Sequence, residues 1–358
     1  MKAILRRTAA LYLCCASTVT FAGKLPGGTG VSFLVGYNEA WFGPNYVTYL
    51  ASNPSFGLPA PITIDPSDSS FVSTMFAGMA NGGAKIVRIW VFTALQGIQL
   101  NPSKTHTQGL TGDLIGNLQT VFNAARKRGL KVYVTALNGG DMQVANTTGL
   151  RQYFQNLLTN TSERDAFKTK ALLPLLNLLN LNSDVIYAFD LINEIEAPLN
   201  SGYFPPPSWI GARGWIQNMT AYVKSISPWL PVTSSGWGSA VQEITLGLFS
   251  GLGLDFYDIH VYADWGQYSG VTALCNRVSA DRVPIILGEY AQNSHTFDDT
   301  LQYWTTYNFL TTAKTHCFSA ALAWKYETNE AWWTYLNLKL NGSLQPDGSF
   351  RPAYGLIH

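Results

Sequence analysis

Two glutamates close two apolar runs. Glu194 ends Val185-Ile-Tyr-Ala-Phe-Asp-Leu-Ile-Asn-Glu194, and Glu289 ends Pro284-Ile-Ile-Leu-Gly-Glu289. Both runs have the length and the β-branched and aromatic content of buried strands. Each therefore delivers its carboxylate to a sheet rim, where apolar cover ends. Carboxyl groups brought together from two strands can divide labour, one holding a proton while the other is ionised. That pairing is the chemistry of acetal cleavage. At a separation of about 5 Å no water fits between the carboxyls, and the ionised one attacks carbon itself.

Such a rim needs a parallel sheet, and the chain supplies the pattern for one. Strand-like runs fall at Val31 to Asn38, Lys85 to Phe92, Leu130 to Leu137, Val185 to Glu194, Leu230 to Ser235, Asp255 to Tyr262, Pro284 to Tyr290 and Phe318 to Tyr326. Helical patterns separate most of them, near Asp68 to Ala80, Asp113 to Arg128, Gly149 to Leu181, Trp209 to Ile226, Val271 to Val278 and Asp298 to Ala313. The second is explicit: Leu114, Leu118, Val121, Phe122 and Ala125 recur at helical spacing and Gly129 stops it. Eight βα units over roughly 300 residues predict a single-domain (β/α)8 TIM barrel. A doubly wound open sheet is the alternative, weakened because no Gly-rich dinucleotide fingerprint follows the first strand.

In such a barrel the active rim is the C-terminal edge of the strands. Reading off strand ends gives Arg88, Asn138, Asn193, Glu194, His260, Tyr262, Glu289 and Trp324. Taken in order, Val87-Arg-Ile-Trp90, Asn193-Glu194, His260-Val-Tyr262, Gly288-Glu-Tyr290 and Ala323-Trp-Lys-Tyr326 resemble glycoside hydrolase family 5 and its clan A relatives, over Val31 to Tyr326. The resemblance implies a retaining enzyme with Glu194 as acid/base and Glu289 as nucleophile. It also implies that Asn193 binds the 2-hydroxyl, Tyr262 orients the nucleophile, His260 tunes the acid/base, Arg88 holds the nucleophile's charge and Trp324 floors the central subsite. An ionised Glu289, favoured by Arg88 and Tyr262, is then expected to raise the pKa of Glu194.

One departure stands out. The usual pattern has a histidine near the end of the third strand, where this chain has Ala136-Leu-Asn138-Gly-Gly-Asp141. Asn138 there resembles the β-mannanase branch, as do Val35-Gly-Tyr-Asn-Glu-Ala-Trp41 and His260-Val-Tyr-Ala-Asp-Trp265. The implied substrate is a β-1,4-linked polysaccharide, mannan or glucomannan first, cut internally. A β-glucanase, an exo-acting glycosidase and a catalytically silent carbohydrate-binding barrel are the alternatives. Trp265 and Trp332 follow strand ends and are expected to line subsites. Glu39, Asp141, Glu196, Asp264, Glu327 and Glu330 share the predicted rim without a ranking. Arg88 has a plainer reading too, as the cation of a structural pair with Asp190 or Asp258.

Composition agrees with a neutral polymer as partner. Of 358 residues only 13% are charged, the formal charge is +1, and aromatics reach 13% with 11 Trp and 18 Tyr. No basic stripe suggests nucleic acid, and aromatic faces suit sugar rings. Lys2, Arg6 and Arg7 followed by apolar Ala9 to Phe21 and Thr20-Phe-Ala22 predict a secretory signal over residues 1–22, with the catalytic domain at 23–358. The protein is thus expected to be secreted or periplasmic, not held in a membrane after signal removal, and monomeric. Cys275 and Cys317 then remain, fitting either a disulfide or two buried thiols. Five scattered histidines, with no CxxC or HxH, predict no metal, and no organic cofactor is implied.

Overall fold

The computed structural model describes residues 33–40, 70–144, 148–205, 208–262, 270–291, 299–324, 326 and 356. Eight parallel strands make one sheet: β1 (Leu34–Glu39), β2 (Ile86–Trp90), β3 (Lys131–Asn138), β4 (Ile186–Asn193), β5 (Val232–Thr233), β6 (Tyr257–Val261), β7 (Ile285–Tyr290) and β8 (Phe318–Ala323). Their order is β5-β4-β3-β2-β1-β8-β7-β6. Between the two ends of that list, Gly236 forms a parallel bridge with Ile259. There the Gly236 N–H donates to the Asp258 carbonyl at 3.1 Å and the His260 N–H to the Gly236 carbonyl at 2.8 Å. The sheet thus curls into a nearly closed (β/α)8 barrel, as the alternation of runs predicts, and not into an open doubly wound sheet.

The runs are continuous in apolar residues because each strand is covered on both faces. Inside the barrel, Ile86, Tyr133, Tyr187, Ala188, Phe256, Ile286, Ala320 and Leu322 pack as one cluster. Outside, a second and larger core joins the strands to helices such as Gly112–Lys127 and Ser208–Ile226. Three features were absent from the predicted pattern. An antiparallel pair, Ile98–Leu100 with Thr107–Leu110, occupies the connection after β2. Short helices at Gly139–Val144, Glu196–Asn200 and Ala240–Thr245 follow β3, β4 and β5. The long helical stretch before β4 carries a π-turn at Lys168–Leu172. Pro174 explains that turn, since it has no N–H to give the carbonyl four residues back and its ring crowds that carbonyl.

A close backbone approach shapes the active edge, and a disulfide ties the chain at the opposite end of β8. Gly139, directly after β3, lies against the end of β4: a Cβ there would stand 2.3 Å from the Glu194 carbonyl oxygen and 2.7 Å from that of Asn193. Those are backbone atoms and cannot rotate away. On the other side of the barrel Cys275 and Cys317 form a disulfide with a Cα–Cα distance of 5.5 Å, settling the open choice between bridge and buried thiols. It ties the helix Val271–Asp281 to the residue before β8.

Gly139→Ala should lower stability by about 1–3 kcal/mol, as overpacking does, and lower turnover as the end of β4 shifts; denaturant melts and steady-state kinetics read the two effects. Replacing both Cys275 and Cys317 by Ser opens a 42-residue loop constraint and should lower stability by about 3–4 kcal/mol, visible as a shifted denaturation midpoint with an unchanged folded spectrum.

Candidate active site

The rim is organised around Arg88, which reaches from β2 and is fully buried. Its Nη1 donates to Glu289 Oε1 at 2.5 Å and to Asn38 Oδ1 at 3.3 Å. Its Nη2 donates to Asp190 Oδ2 at 2.7 Å, Asn193 Oδ1 at 2.9 Å and Ser235 Oγ at 3.2 Å. Arg88 therefore fulfils both readings made from sequence: it is paired with a buried acid, Asp190, and it also holds Glu289. Its face lies 4.4 Å from the centroid of Trp90, and Trp90 meets Trp324 edge-on at 5.4 Å.

Around this cation the two glutamates converge. Tyr262 donates its hydroxyl to Glu289 Oε2, so both oxygens of Glu289 have donors. Glu194 leaves β4 with a φ of +53°, a backbone state that a residue with a Cβ seldom adopts. The turn diverts the chain away from the strand direction, and the next carbonyls start the helix Glu196–Asn200. His260 Nδ1 lies 3.0 Å from Glu194 Oε1 and 3.5 Å from Glu289 Oε1. Oxygens of both glutamates and a nitrogen of His260 fall within 4.8 Å of one another. A cation ligated by these three would share Glu289 with the Arg88 guanidinium, an unfavourable neighbour for a dication.

Burial dominates the electrostatics. It pushes Glu194 up to about 7, with the charge of Asp190 adding and that of Arg88 opposing. The expected cause, the charge of Glu289, is not the leading one. Burial raises Glu289 as well, while Arg88 and the Tyr262 hydrogen bond pull it back and Glu194 adds. Glu289 thus has the stronger support for its ionised form, and Glu194, whose side chain is 19% exposed, keeps a proton more readily. Burial drives His260 down to about 4, so its imidazole is neutral at neutral pH. The arrangement can supply one acid and one anion, a few ångströms apart.

Most of the predicted set comes together. Asn138 sits at the edge of this group: its Oδ1 accepts from Asn193 Nδ2 at 3.1 Å and from the Gly140 N–H at 3.1 Å, while its Nδ2 donates to Asp141 Oδ1 at 3.0 Å. Asp141 also accepts from Thr93 Oγ1 at 3.0 Å and the Ala94 N–H at 2.5 Å, so it holds the loop after β2. Glu196 is buried and accepts from the Trp237 N–H at 3.2 Å. It braces the loop after β5. Trp265, Trp332, Asp264, Glu327 and Glu330 lie outside the described residues. Sequence reading missed Asn38 and Ser235. Ser235 receives the Arg88 Nη2 and donates to Asp190 Oδ2 at 2.8 Å, and no motif marks it beyond its place at a strand end.

Residues 62–329 match the model of the family described as Cellulase (glycosyl hydrolase family 5). Mannan endo-1,4-beta-mannosidase 7 of Arabidopsis thaliana is 25% identical over 182 residues, covering 46% of this chain and 40% of that protein. Mannan endo-1,4-beta-mannosidase A of Emericella nidulans is 23% identical over 251 residues, covering 64% of each. The matched region thus spans 40% and 64% of these two relatives' own length. Among solved structures, the beta-mannanase of the blue mussel Mytilus edulis has a TM-score of 0.61 at 20% identity, covering 89% of this chain and 93% of that one. An exo-beta-1,4-mannosidase from Opitutaceae bacterium strain TAV5 has a TM-score of 0.65 at 14% identity, covering 95% and 61%. At such identities the structures share the fold. With the family model spanning well over half of the sequence, the chain belongs to glycosyl hydrolase family 5, a family of retaining glycoside hydrolases.

Proposed function

We propose that this protein is a secreted endo-acting β-mannanase that hydrolyses β-1,4-linked mannan or glucomannan by double displacement. The observation that carries the reading is the approach of two carboxyl groups to within 4.8 Å, oxygen to oxygen. At that spacing no water fits between the carboxyls, which supports the ionised carboxylate as the attacking group. Glu289 takes that role, ionised against Arg88 and Tyr262. Glu194 protonates the departing glycosidic oxygen. When the glycosyl–Glu289 ester forms, the negative charge beside Arg88 is neutralised, and Glu194, now a carboxylate, takes a proton from the water that cleaves the ester.

Around the pair, Asn193 carries a second Nδ2–H besides the one given to Asn138, which suits a contact to the 2-hydroxyl of the sugar at the cleaved bond. Such a contact gains strength as positive charge grows at the neighbouring anomeric carbon. Trp324, partly exposed beside Trp90, is suited to floor the central subsite. Support for mannan over glucan comes from Asn138 in place of a histidine and from the mannan endo-1,4-beta-mannosidase names of the similar sequences. Export is supported by the apolar N-terminal stretch behind Lys2, Arg6 and Arg7. Among the described residues no helix is long and apolar enough to cross a membrane.

A reducing-end assay on mannan, glucomannan, a soluble cellulose derivative, xylan and mixed-linkage glucan should show mannan and glucomannan cleaved, with Glu289→Ala reducing the rate to background. Release of mixed oligosaccharides from the start identifies internal cutting; release of a single short product reverses the endo assignment, and glucan cleavage alone reverses the substrate. The acid must be protonated to act, so turnover should fall as pH rises through about 7, the value to which burial lifts Glu194. Glu194→Gln should lower turnover by about 10²–10⁴-fold and remove that limb from the profile measured with an activated aryl glycoside.

A further inference from the structure

Beneath the carboxyl pair, inside the barrel, lies an acid that the reaction described above does not use. Asp258 stands on β6, two residues before His260, so the two side chains share the inner face of that strand. Both are buried, at 1% and 0% exposure. The Tyr133 hydroxyl donates to Asp258 Oδ2 at 2.6 Å. Asp258 Oδ1 and His260 Nε2 are each buried without a hydrogen-bond partner among the described residues, and they face each other at 3.9 Å. That is about 1 Å beyond hydrogen-bond length, and neither atom has a competing partner among the described residues. Two buried polar atoms left unpaired side by side are unfavourable apart and favourable together.

The sequence makes room for this arrangement. At Gly288, the residue before Glu289, a Cβ would come within 1.9 Å of Asp258 Oδ1. Only glycine lets β7 pass the carboxyl group. The groups that face Asp258 are Arg88 from β2, Tyr133 from β3, Tyr187 and Asp190 from β4, His260 from its own strand and Glu289 from β7. Burial is the leading influence and lifts Asp258 to about 8; Asp190 and Glu289 add, while Arg88 and the Tyr133 hydrogen bond oppose. Burial thus favours the carboxylic acid form of Asp258, which has a proton to donate.

We propose that Asp258 is a positioning residue that presents its O–H to His260 Nε2 and thereby fixes His260 as the Nδ1–H tautomer. The inference rests on the acid role proposed for Glu194. With Nε2 accepting, Nδ1–H donates to Glu194 Oε1 at 3.0 Å. The proton of Glu194 then resides on Oε2, free for the departing oxygen of the substrate. If Asp258 were ionised, Nε2–H would turn to it instead. The bare Nδ1 would then accept the Glu194 proton and hold it away from the substrate. Ionisation of Asp258 removes one proton from the group, and the tautomer that results decides where the proton of Glu194 points.

The test begins with ¹⁵N NMR of histidine-labelled protein at pH 6, the His260 signal being identified by its loss in His260→Asn. An Nδ1–H tautomer is expected, and an Nε2–H tautomer overturns the proposal whatever the enzyme's activity. Asp258→Asn retains a donor toward Nε2 and an acceptor for Tyr133, so it should keep the tautomer and restore turnover to within about fivefold of the native enzyme. Asp258→Ala should lose the single tautomer and lower kcat tenfold or more with KM changed less than twofold. Equal kcat in the Ala and Asn variants, both folded, overturns the proposal. In the native enzyme the alkaline limb of log kcat should steepen from a slope of about −1 to about −2 above pH ~8, while Asp258→Asn stays near −1; a native slope that stays near −1 sinks the coupling. Should the Ala variant not fold, the native tautomer and the Asn profile still decide. Failure of the Glu194 reading shows separately, as a Glu194→Gln variant with unimpaired turnover.

Discussion

A guanidinium with no access to solvent is the constraint from which the rest of this rim follows. A buried charge without partners is prohibitively unfavourable, so the folded chain must bring acceptors to Arg88 from every side. They come from β1 (Asn38), from β4 (Asp190 and Asn193), from the residues after β5 (Ser235) and from β7 (Glu289). Burial alone would lower the pKa of Arg88, yet the surrounding Tyr133, Glu289, Asp190 and Asp258 hold it above its usual value. Removing one member of a buried pair typically costs about 3–5 kcal/mol, because the other charge is left uncompensated. The cation is thus a structural clamp across the barrel and an electrostatic partner for the proposed nucleophile at once.

That double use explains the division between the two glutamates better than their mutual repulsion does. Both are pushed toward the neutral form by burial. Of the two, and among the described residues, only Glu289 has both oxygens supplied with donors, one from Arg88 and one from Tyr262. Glu194 meets a neutral imidazole and a backbone turn with a positive φ instead. Fixed dipoles and charges that favour one protonation state per site are how a low-dielectric rim keeps an acid and an anion side by side at neutral pH. The barrel provides the dry floor through its inner cluster of Ile86, Tyr133, Tyr187 and Phe256, and it provides the rim by ending all its strands on one side.

Much of this was legible beforehand, for physical reasons. A strand buried on both faces must be apolar throughout, so its run is visible, and the polar residue at its end is conspicuous. The ranges for all eight strands agree with the folded elements to within a few residues, and the rim set Arg88, Asn193, Glu194, His260, Tyr262 and Glu289 converges. The hairpin at 98–110 escaped because its strands are short and carry a weak alternation. The π-turn escaped because Pro174 sits inside an otherwise ordinary leucine-rich helical pattern. Ser235 and Asn38 escaped because a small polar residue near a strand end has many uses, and nothing local says which one applies.

The sequence by itself determined the barrel, the side on which its polar residues gather and the family to which they belong, since period, spacing and order along the chain encode all three. Tertiary structure decided the rest. It joined Cys275 to Cys317, which spacing left open. It gave Arg88 both Asp190 and Glu289 where the sequence offered them as separate readings. It traced the raised pKa of Glu194 to burial, and it buried Glu196 against the loop after β5. Each of these depends on distances between residues remote in the chain, and on solvent excluded by side chains from several strands at once. No one-dimensional pattern carries that information, because electrostatic energy is set by what surrounds a group and not by what precedes it.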